Sequence, residues 1–430
     1  MTALARQPAV PHTGASSSPH RPQPLSPSTR HAQQQRAAQT ALVCCGGGAR
    51  AAYQVGVLKA LARLHAAQPQ RLRQSPFGIL VGTSAGAINV AALASGADHF
   101  AQAVAQLEHT WAGLHAEQVY RSDSWSVLRS GTRWLRLLSL GWAVARWRRG
   151  QPQALLENQP LAELLQARIA MGRIPALIER GHLRAVAVTA SSYSSGRHMS
   201  FYQSATPIQP WQRSLHLATA TALHHGHLLA SAAIPFVFPA QKLALPHGVE
   251  FFGDGSMRQQ APMAPAIHLG AQRILVIGVG RSATAAPRRQ LADSSAPSLA
   301  QIAGHALSSI FLDTLATDIE RLQRINQTLR LLTPAQQARS QLRPIELLAI
   351  TPSQDIDTLA ARHLQHLPAS IRALLGALGT GNDARELGHS ALVSYLLFEA
   401  AFTQELIALG EQDTLRRRQQ VLDFMGWQAP

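Results

Sequence analysis

The segment 82–86 constrains this chain most, because it reads Gly-Thr-Ser-Ala-Gly and fits the pattern G-x-S-x-G. An apolar run at 77–81 precedes it, and a run of small and apolar residues follows it. This order predicts a strand, a sharp turn and a helix, with Ser84 at the tip of the turn. Gly82 and Gly86 are expected there because so sharp a turn leaves no room for side chains. The positive end of the helix dipole would face the Ser84 hydroxyl, so this serine is a candidate nucleophile.

A second strand-to-helix junction lies earlier in the chain. An apolar strand pattern at 40–45 is followed by three consecutive glycines, and a helical pattern covers 52–66. The residues of this loop that we single out are Gly46, Gly47, Gly48 and Arg50. Glycines leave the backbone N–H groups open, so the loop could hold the oxyanion of an acyl-transfer intermediate. A nucleotide phosphate loop is the rival interpretation, but Ala51 takes the last position of G-x-G-x-x-G, and the chain has no G-K-[ST].

An aspartate turn is the third feature. A strand pattern at 249–252 delivers Asp254 into a turn between Gly253 and Gly255. A carboxylate that is partly desolvated there could accept a proton directly from a serine hydroxyl. The alternative is an Asx turn, in which the aspartate only satisfies backbone N–H groups.

The remaining pattern predicts an α/β fold, with a mainly parallel central sheet and helices on both faces. Further strands are predicted at 183–190, 273–279 and 345–350, and long helices at 312–329 and 392–409. Composition and pattern divide the chain into a disordered segment at 1–38, an α/β domain at 39–280 that holds the candidate catalytic residues, a linker at 281–298 and a mostly helical region at 299–430 that packs on the core.

Charge and composition exclude several classes of function. The formal charge is +16, but the chain holds only two lysines and its arginines are spread along it. No nucleic-acid-binding signature accompanies the charge, so we expect no nucleic-acid partner. Neighbouring cysteines bridge poorly, and Cys44 and Cys45 are therefore expected to be buried thiols. The cluster of His224, His225 and His227 lacks a convincing further ligand, so we expect neither a metal nor a cofactor.

Two segments bear on membranes. Residues 78–97 carry no charge, but they contain the serine turn and are interpreted as a buried strand and helix. Residues 131–149 interleave tryptophan and leucine with arginine, which is typical of an interfacial amphipathic helix or of a cap helix packed inward. We therefore expect a cytoplasmic protein without signal peptide or membrane-spanning helix, with peripheral membrane contact through 131–149 as one option.

Taken together, the three turns resemble the patatin-like phospholipase family, which has a glycine-rich oxyanion loop, a G-x-S-x-G serine and a D-G-[GA] aspartate in that order. The resemblance covers residues 40–280, continues through the helical C-terminal region of a bacterial subgroup of the family, and implies a three-layer α/β/α fold. It also implies a Ser-Asp dyad of Ser84 and Asp254 that acts on lipid acyl esters without a histidine. Two positions depart from the family pattern: Ala51 stands where glycine is usual, and Ser256 where glycine or alanine is usual.

Three alternatives stay open at this stage. The order Ser84, Asp254, His268 would suit a Ser-His-Asp hydrolase. A silent membrane- or protein-binding module would result if Ala51 and Ser256 spoil the loops. An acyltransferase or a non-lipid esterase could use the same dyad.

Overall fold

The computed structural model describes residues 36–37, 39–68, 73–121, 154–213, 215–280, 299–377 and 391–428. The predicted interfacial segment at 131–149, the predicted linker at 281–298 and nearly all of the predicted disordered segment at 1–38 lie outside these residues. Arg36 and Ala37 are described, and the Arg36 guanidinium donates to the Phe424 carbonyl at 3.2 Å. Arg36 thereby contacts the end of the last described helix near the C-terminus.

One mixed sheet forms the centre of the described part of the chain. Its strands are β1 Thr40–Cys44, β2 Ile79–Thr83, β3 Ala185–Ser192, β4 His198–Ser204, β5 Gln212–Arg213, β6 His216–Ala220, β7 Gln241–Leu245, β8 Gly248–Asp254, β9 Arg273–Ile277 and β10 Glu346–Ile350. The order across the sheet is β10-β9-β1-β2-β3-β4-β6-β5, and the β7–β8 hairpin joins it through β3. Strands β10, β9, β1, β2 and β3 run parallel, whereas β4 and β8 run antiparallel to β3.

Helices cover both faces of this sheet. They are α1 Ala52–Ala66, α2 Ala85–Ser95, α3 Phe100–Ala112, α4 Gln159–Arg168, α5 Ile174–Glu179, α6 His225–Ser231, α7 Ala264–His268, α8 Leu299–Arg330, α9 Pro334–Arg339, α10 Ile356–Arg362, α11 Ala369–Ala377, α12 Ala391–Leu396, α13 Ala400–Arg416 and α14 Arg418–Met425. Alternate side chains of β1 enter opposite cores: Leu42 lies in one and Val43 in the other. The predicted α/β architecture with helices on both faces is confirmed.

Cys44 and Cys45 follow the same alternation. Both are buried free thiols, and they lie in the two opposite cores. The prediction that they do not bridge is therefore confirmed.

The C-terminal region is built into the same body rather than only packed beside it. Strand β10 extends the central sheet next to β9, as the predicted strand at 345–350 suggests. Helices α1 and α13 cross in close contact. A Cβ at Gly56 would lie only 1.9 Å from the Ile407 carbonyl oxygen, and a Cβ at Gly410 only 2.1 Å from the Tyr53 carbonyl oxygen. Glycine at both positions lets the two backbones touch.

The single helix predicted over 392–409 is wrong, since α12 and α13 are separated by residues 397–399. The break turns Phe398 into the core, with its ring centroid 6.4 Å from that of Trp111 and 6.2 Å from that of Tyr120. The carboxylate of Glu399 accepts a hydrogen bond from the Ala116 backbone at 3.1 Å. Packing of one aromatic side chain and pairing of one carboxylate thus interrupt a continuous helical pattern. The strand predicted at 273–279 also ends earlier, at Ile277.

No helix in the described ranges is both long and apolar enough to cross a bilayer. The uncharged segment at 78–97 forms β2 and α2, as predicted.

Candidate active site

Strand β3 explains why two distant turns meet. Along one edge it pairs first with β2 and then with β8: Thr189 lies opposite Thr83, and the next residue, Ala190, lies opposite Asp254. Strand β2 runs parallel to β3 and β8 runs antiparallel, so their carboxyl ends approach each other at this point. Ser84 follows Thr83 directly, and the sheet therefore brings it to Asp254.

The turn at Ser84 has the predicted strained geometry. Ser84 has φ 54° and ψ −131°, a conformation that L residues rarely adopt, and α2 begins at the next residue. A Cβ at Gly82 would lie 2.5 Å from the Ala87 Cα, and a Cβ at Gly86 would lie 2.3 Å from the Cys44 carbonyl oxygen. Both flanking glycines are therefore required by close backbone contacts.

Ser84 and Asp254 are in direct contact. The Ser84 Oγ donates to Asp254 Oδ2 at 2.5 Å, and both side chains are buried. The other carboxylate oxygen, Oδ1, accepts from the Ser256 backbone N–H at 2.8 Å. Asp254 thus combines both predicted interpretations, since it forms an Asx turn and also holds the serine hydroxyl. A Cβ at Gly255 would lie 2.4 Å from the Thr189 carbonyl oxygen, so the aspartate turn also needs its glycine.

Burial controls the protonation of Asp254. Desolvation raises the pKa of Asp254 to about 7, while the hydrogen bonds from the Ser84 hydroxyl and the Ser256 backbone oppose this rise in part. A carboxylate whose pKa lies near neutrality can both accept and return a proton at neutral pH. This is the protonation behaviour that a general base requires.

The glycine loop lies next to the serine turn. Gly48 and Ser84 line the same cavity. Within the described part of the chain, the backbone N–H groups of Gly46, Gly47 and Gly48 donate to no protein acceptor. Gly48 has φ 56°, which favours glycine. The loop therefore offers unpaired donors beside the candidate nucleophile.

The two departures from the family pattern are accommodated locally. Ala51 has φ −65° and ψ −10°, an ordinary right-handed helical conformation, so this position does not need a glycine. Ser256 is buried, and its backbone N–H serves the Asp254 turn. Neither residue separates Ser84 from Asp254, although the buried Ser256 Oγ has no hydrogen-bond partner among the described residues.

A largely apolar cavity of about 630 Å³ opens at Ser84. Helices α2, α3 and α4 supply most of its walls. Its apolar lining includes Ile88, Ala92, Ala103, Leu107, Trp111, Leu114, Val119, Leu161, Leu164, Leu165, Ile234, Phe238 and Phe398. A cavity of this size and lining fits a hydrocarbon chain.

His109 lines the cavity, whereas His268, His224 and His227 have partners of their own. The ring of His268 stacks on Trp211, with centroids 4.7 Å apart and planes 8° apart. His224 caps α6 by accepting from the Gly226 backbone, and the ring of the buried His227 lies 4.7 Å from that of Phe201. Among the residues with described positions, no cluster of three or more His, Cys, Asp or Glu side chains could hold a metal ion. The Ser-His-Asp alternative through His268 finds no support in this geometry.

Sequence reasoning missed several polar residues around the site. The Ser84 backbone N–H donates to Ser231 Oγ at 2.8 Å, which ties the serine turn to the end of α6. Asn89 of α2 accepts from Trp111 Nε1 at 2.8 Å and donates to Gln54 Oε1 at 2.8 Å. Gln54 in turn donates to the Cys45 carbonyl at 2.7 Å, just before the glycine loop. Isolated polar residues inside apolar helical patterns were the available signal, because buried amides need partners.

Comparison with known proteins gives a family match. The model of the patatin-like phospholipase family matches residues 42–267, just over half of the 430-residue chain. Among solved structures, the crystal structure of VipD from Legionella pneumophila is similar, with a TM-score of 0.31 and 11% sequence identity over 86% of this chain and 67% of that chain. No curated protein matches the sequence. The family match includes the glycine loop, Ser84 and Asp254.

Proposed function

The chain belongs to the patatin-like phospholipase family, and we propose that it hydrolyses lipid acyl esters with a Ser84–Asp254 dyad. The observation that carries this proposal is the 2.5 Å contact between Ser84 Oγ and Asp254 Oδ2 beside an apolar cavity of about 630 Å³. A fatty acyl chain in the cavity would leave its ester carbonyl against Ser84.

Acylation needs a base, a nucleophile and an oxyanion site. Asp254 takes the Ser84 proton as Oγ attacks the ester carbonyl carbon. The backbone N–H groups of Gly47 and Gly48 donate to the oxygen that becomes negative, and the positive end of α2 adds to this stabilisation. As the tetrahedral intermediate collapses, the carbon–oxygen bond to the alcohol breaks and Asp254 returns the proton to the leaving alcohol.

Deacylation repeats these steps with water. Asp254 takes a proton from a water molecule, and the resulting hydroxide attacks the acyl carbon on Ser84. Collapse releases the fatty acid, and the proton on Asp254 returns to Ser84 Oγ. A carboxyl group with a pKa near neutrality can serve as base and acid in turn, so the scheme needs no histidine.

Measurement of products from defined lipids tests this proposal. We expect the purified protein to release fatty acid from vesicles of a zwitterionic phospholipid or from a triacylglycerol emulsion, and to cleave p-nitrophenyl butyrate. Added acceptor alcohols distinguish acyl transfer, which would yield a new ester instead of free acid. A folded protein that forms neither product from any of these esters would contradict the proposal and favour a silent binding module.

The pH dependence of kcat/KM follows from the state of Asp254. Only the carboxylate form can accept the serine proton, and the pKa of Asp254 is raised to about 7. We therefore expect kcat/KM for p-nitrophenyl butyrate to rise with pH and to level off above an apparent pKa near 7. Intrinsic fluorescence over the same pH range controls for unfolding. A profile that is flat from pH 5.5 to 8.5 would contradict a base with this environment.

A further inference from the structure

Arg50 carries a buried charge whose partners come from the C-terminal region. Arg50 lies in the turn Gly48–Ala51 that closes the glycine loop, and its side chain is buried. Nη2 donates to Asp357 Oδ1 at 2.5 Å, and Nε donates to Ser394 Oγ at 2.9 Å. The guanidinium also lies 4.4 Å from the centroid of the Tyr395 ring. The side chain therefore points into the C-terminal region, and only the backbone of Arg50 belongs to the loop.

These partners hold one another as well. Ser394 Oγ donates to Asp357 Oδ1 at 2.7 Å, so the carboxylate receives hydrogen bonds from both neighbours. Asp357 lies in the first turn of α10, where its backbone N–H donates to the Asp355 carboxylate at 2.9 Å. Asp357 forms an ion pair with Arg50.

The backbone of the C-terminal region also contacts the glycine loop. A Cβ at Gly48 would lie 2.4 Å from the Tyr395 carbonyl oxygen, so the end of α12 rests directly on the glycine loop. A few residues further on, Phe398 lines the cavity that opens at Ser84. All of these C-terminal residues follow residue 267, where the family match ends.

We propose that Asp357 is a positioning residue for the reaction, which acts through Arg50 to hold the amides of Gly47 and Gly48 in place. The Arg50 backbone N–H donates to the Gly47 carbonyl at 3.2 Å, so a shift of Arg50 moves the donors themselves. This inference rests on the proposed function, and it makes the C-terminal region part of the oxyanion site. A misplacement of about 1 Å at a reacting centre can lower a rate about 100-fold.

The test compares two neutralised carboxylates in the full-length protein. Asp357→Asn keeps the side-chain volume but removes the charge that pairs Arg50. Glu411→Gln is the matched control, because Glu411 also joins the N-terminal and C-terminal parts through Lys59 and Arg63 and its side chain is 16% exposed, against 15% for Asp357. We expect Asp357→Asn to lower kcat for p-nitrophenyl butyrate about 10- to 100-fold with KM within about threefold, and Glu411→Gln to leave both unchanged.

Hydrogen exchange measures the positioning without turnover. We expect peptides that cover residues 46–51 to exchange faster in Asp357→Asn than in the wild type, and at the wild-type rate in Glu411→Gln. Wild-type exchange in Asp357→Asn would overturn the inference, and so would an equal loss of kcat in both variants. If the loop exchanges faster in Asp357→Asn but the wild type cleaves no ester, the role of Asp357 in holding the loop is supported and the proposed function is contradicted.

Discussion

Replacing Ser84 with alanine is expected to lower kcat/KM for p-nitrophenyl butyrate by roughly 10⁵-fold, because the proposed mechanism forms the acyl-enzyme on Ser84 Oγ. The fold should persist. Ser84 Oγ makes one hydrogen bond, to Asp254, and alanine fits the space that the hydroxyl leaves. Steady-state kinetics and thermal unfolding of the same preparation measure both effects.

The control for this variant is another serine of the central sheet. Ser204→Ala changes β4 at a position whose Oγ donates only to the nearby Thr206 carbonyl, away from the cavity. It should leave kcat/KM within about twofold of the wild type. Residual turnover by a folded Ser84→Ala protein at a tenth of the wild-type rate or more would require another nucleophile.

Replacing Asp254 with asparagine is expected to lower kcat/KM by roughly 10³-fold or more, because the amide cannot take the serine proton. The same change should not lower stability near pH 8. The folded-state pKa of Asp254 is raised from 3.8 to about 7, so the native state holds this proton more tightly than the unfolded chain does. The stability of the wild type therefore falls as pH rises through this range, and above it the protein carries a buried, ionised carboxylate.

Thermal unfolding at several pH values tests this opposition between activity and stability. The difference in Tm between Asp254→Asn and the wild type should be more positive at pH 8 than at pH 5. The reason is that the amide is neutral at both pH values, whereas the wild-type carboxyl group ionises between them. Ser204→Ala, measured in parallel, should show no such change with pH. An Asp254→Asn protein that loses stability at pH 8 and keeps its turnover would indicate a structural aspartate.

The three turns could be predicted because each is encoded locally. Glycines at 82 and 86 are required by backbone contacts within the serine turn and its neighbouring strand. At Gly47, Gly48 and Gly255 a side chain would likewise collide, there with residues distant in sequence. A strand pattern before each turn then fixes which end of the sheet carries it.

The contact between Ser84 and Asp254 does not follow from local sequence. It arises because β3 pairs with β2 over one part of its edge and with the antiparallel β8 over the next. No residue pattern within β8 specifies that register, which is set by the packing of the whole sheet. The order of motifs shared with a known family supplied the expectation of a dyad.

The partners of the Arg50 side chain could not be predicted from the sequence for a similar reason. Arg50 and Ser394 are separated by 344 positions, and nothing around Asp357 or Ser394 marks either as a ligand of a buried guanidinium. The sequence Gly-Gly-Gly-Ala-Arg indicated the loop, but not the residues that bind the Arg50 guanidinium. Long-range pairing of single polar residues becomes visible only once the helices that carry them are packed.

Covalent labelling tests most directly whether the buried carboxylate activates the serine. A fluorophosphonate probe followed by peptide mass spectrometry reports which hydroxyl is nucleophilic, independently of the lipid substrate. We predict a phosphonyl adduct on Ser84 of the wild type, slow labelling of Asp254→Asn and no adduct in Ser84→Ala. A folded wild-type protein that remains unlabelled, or that carries the adduct on another residue, would contradict the account.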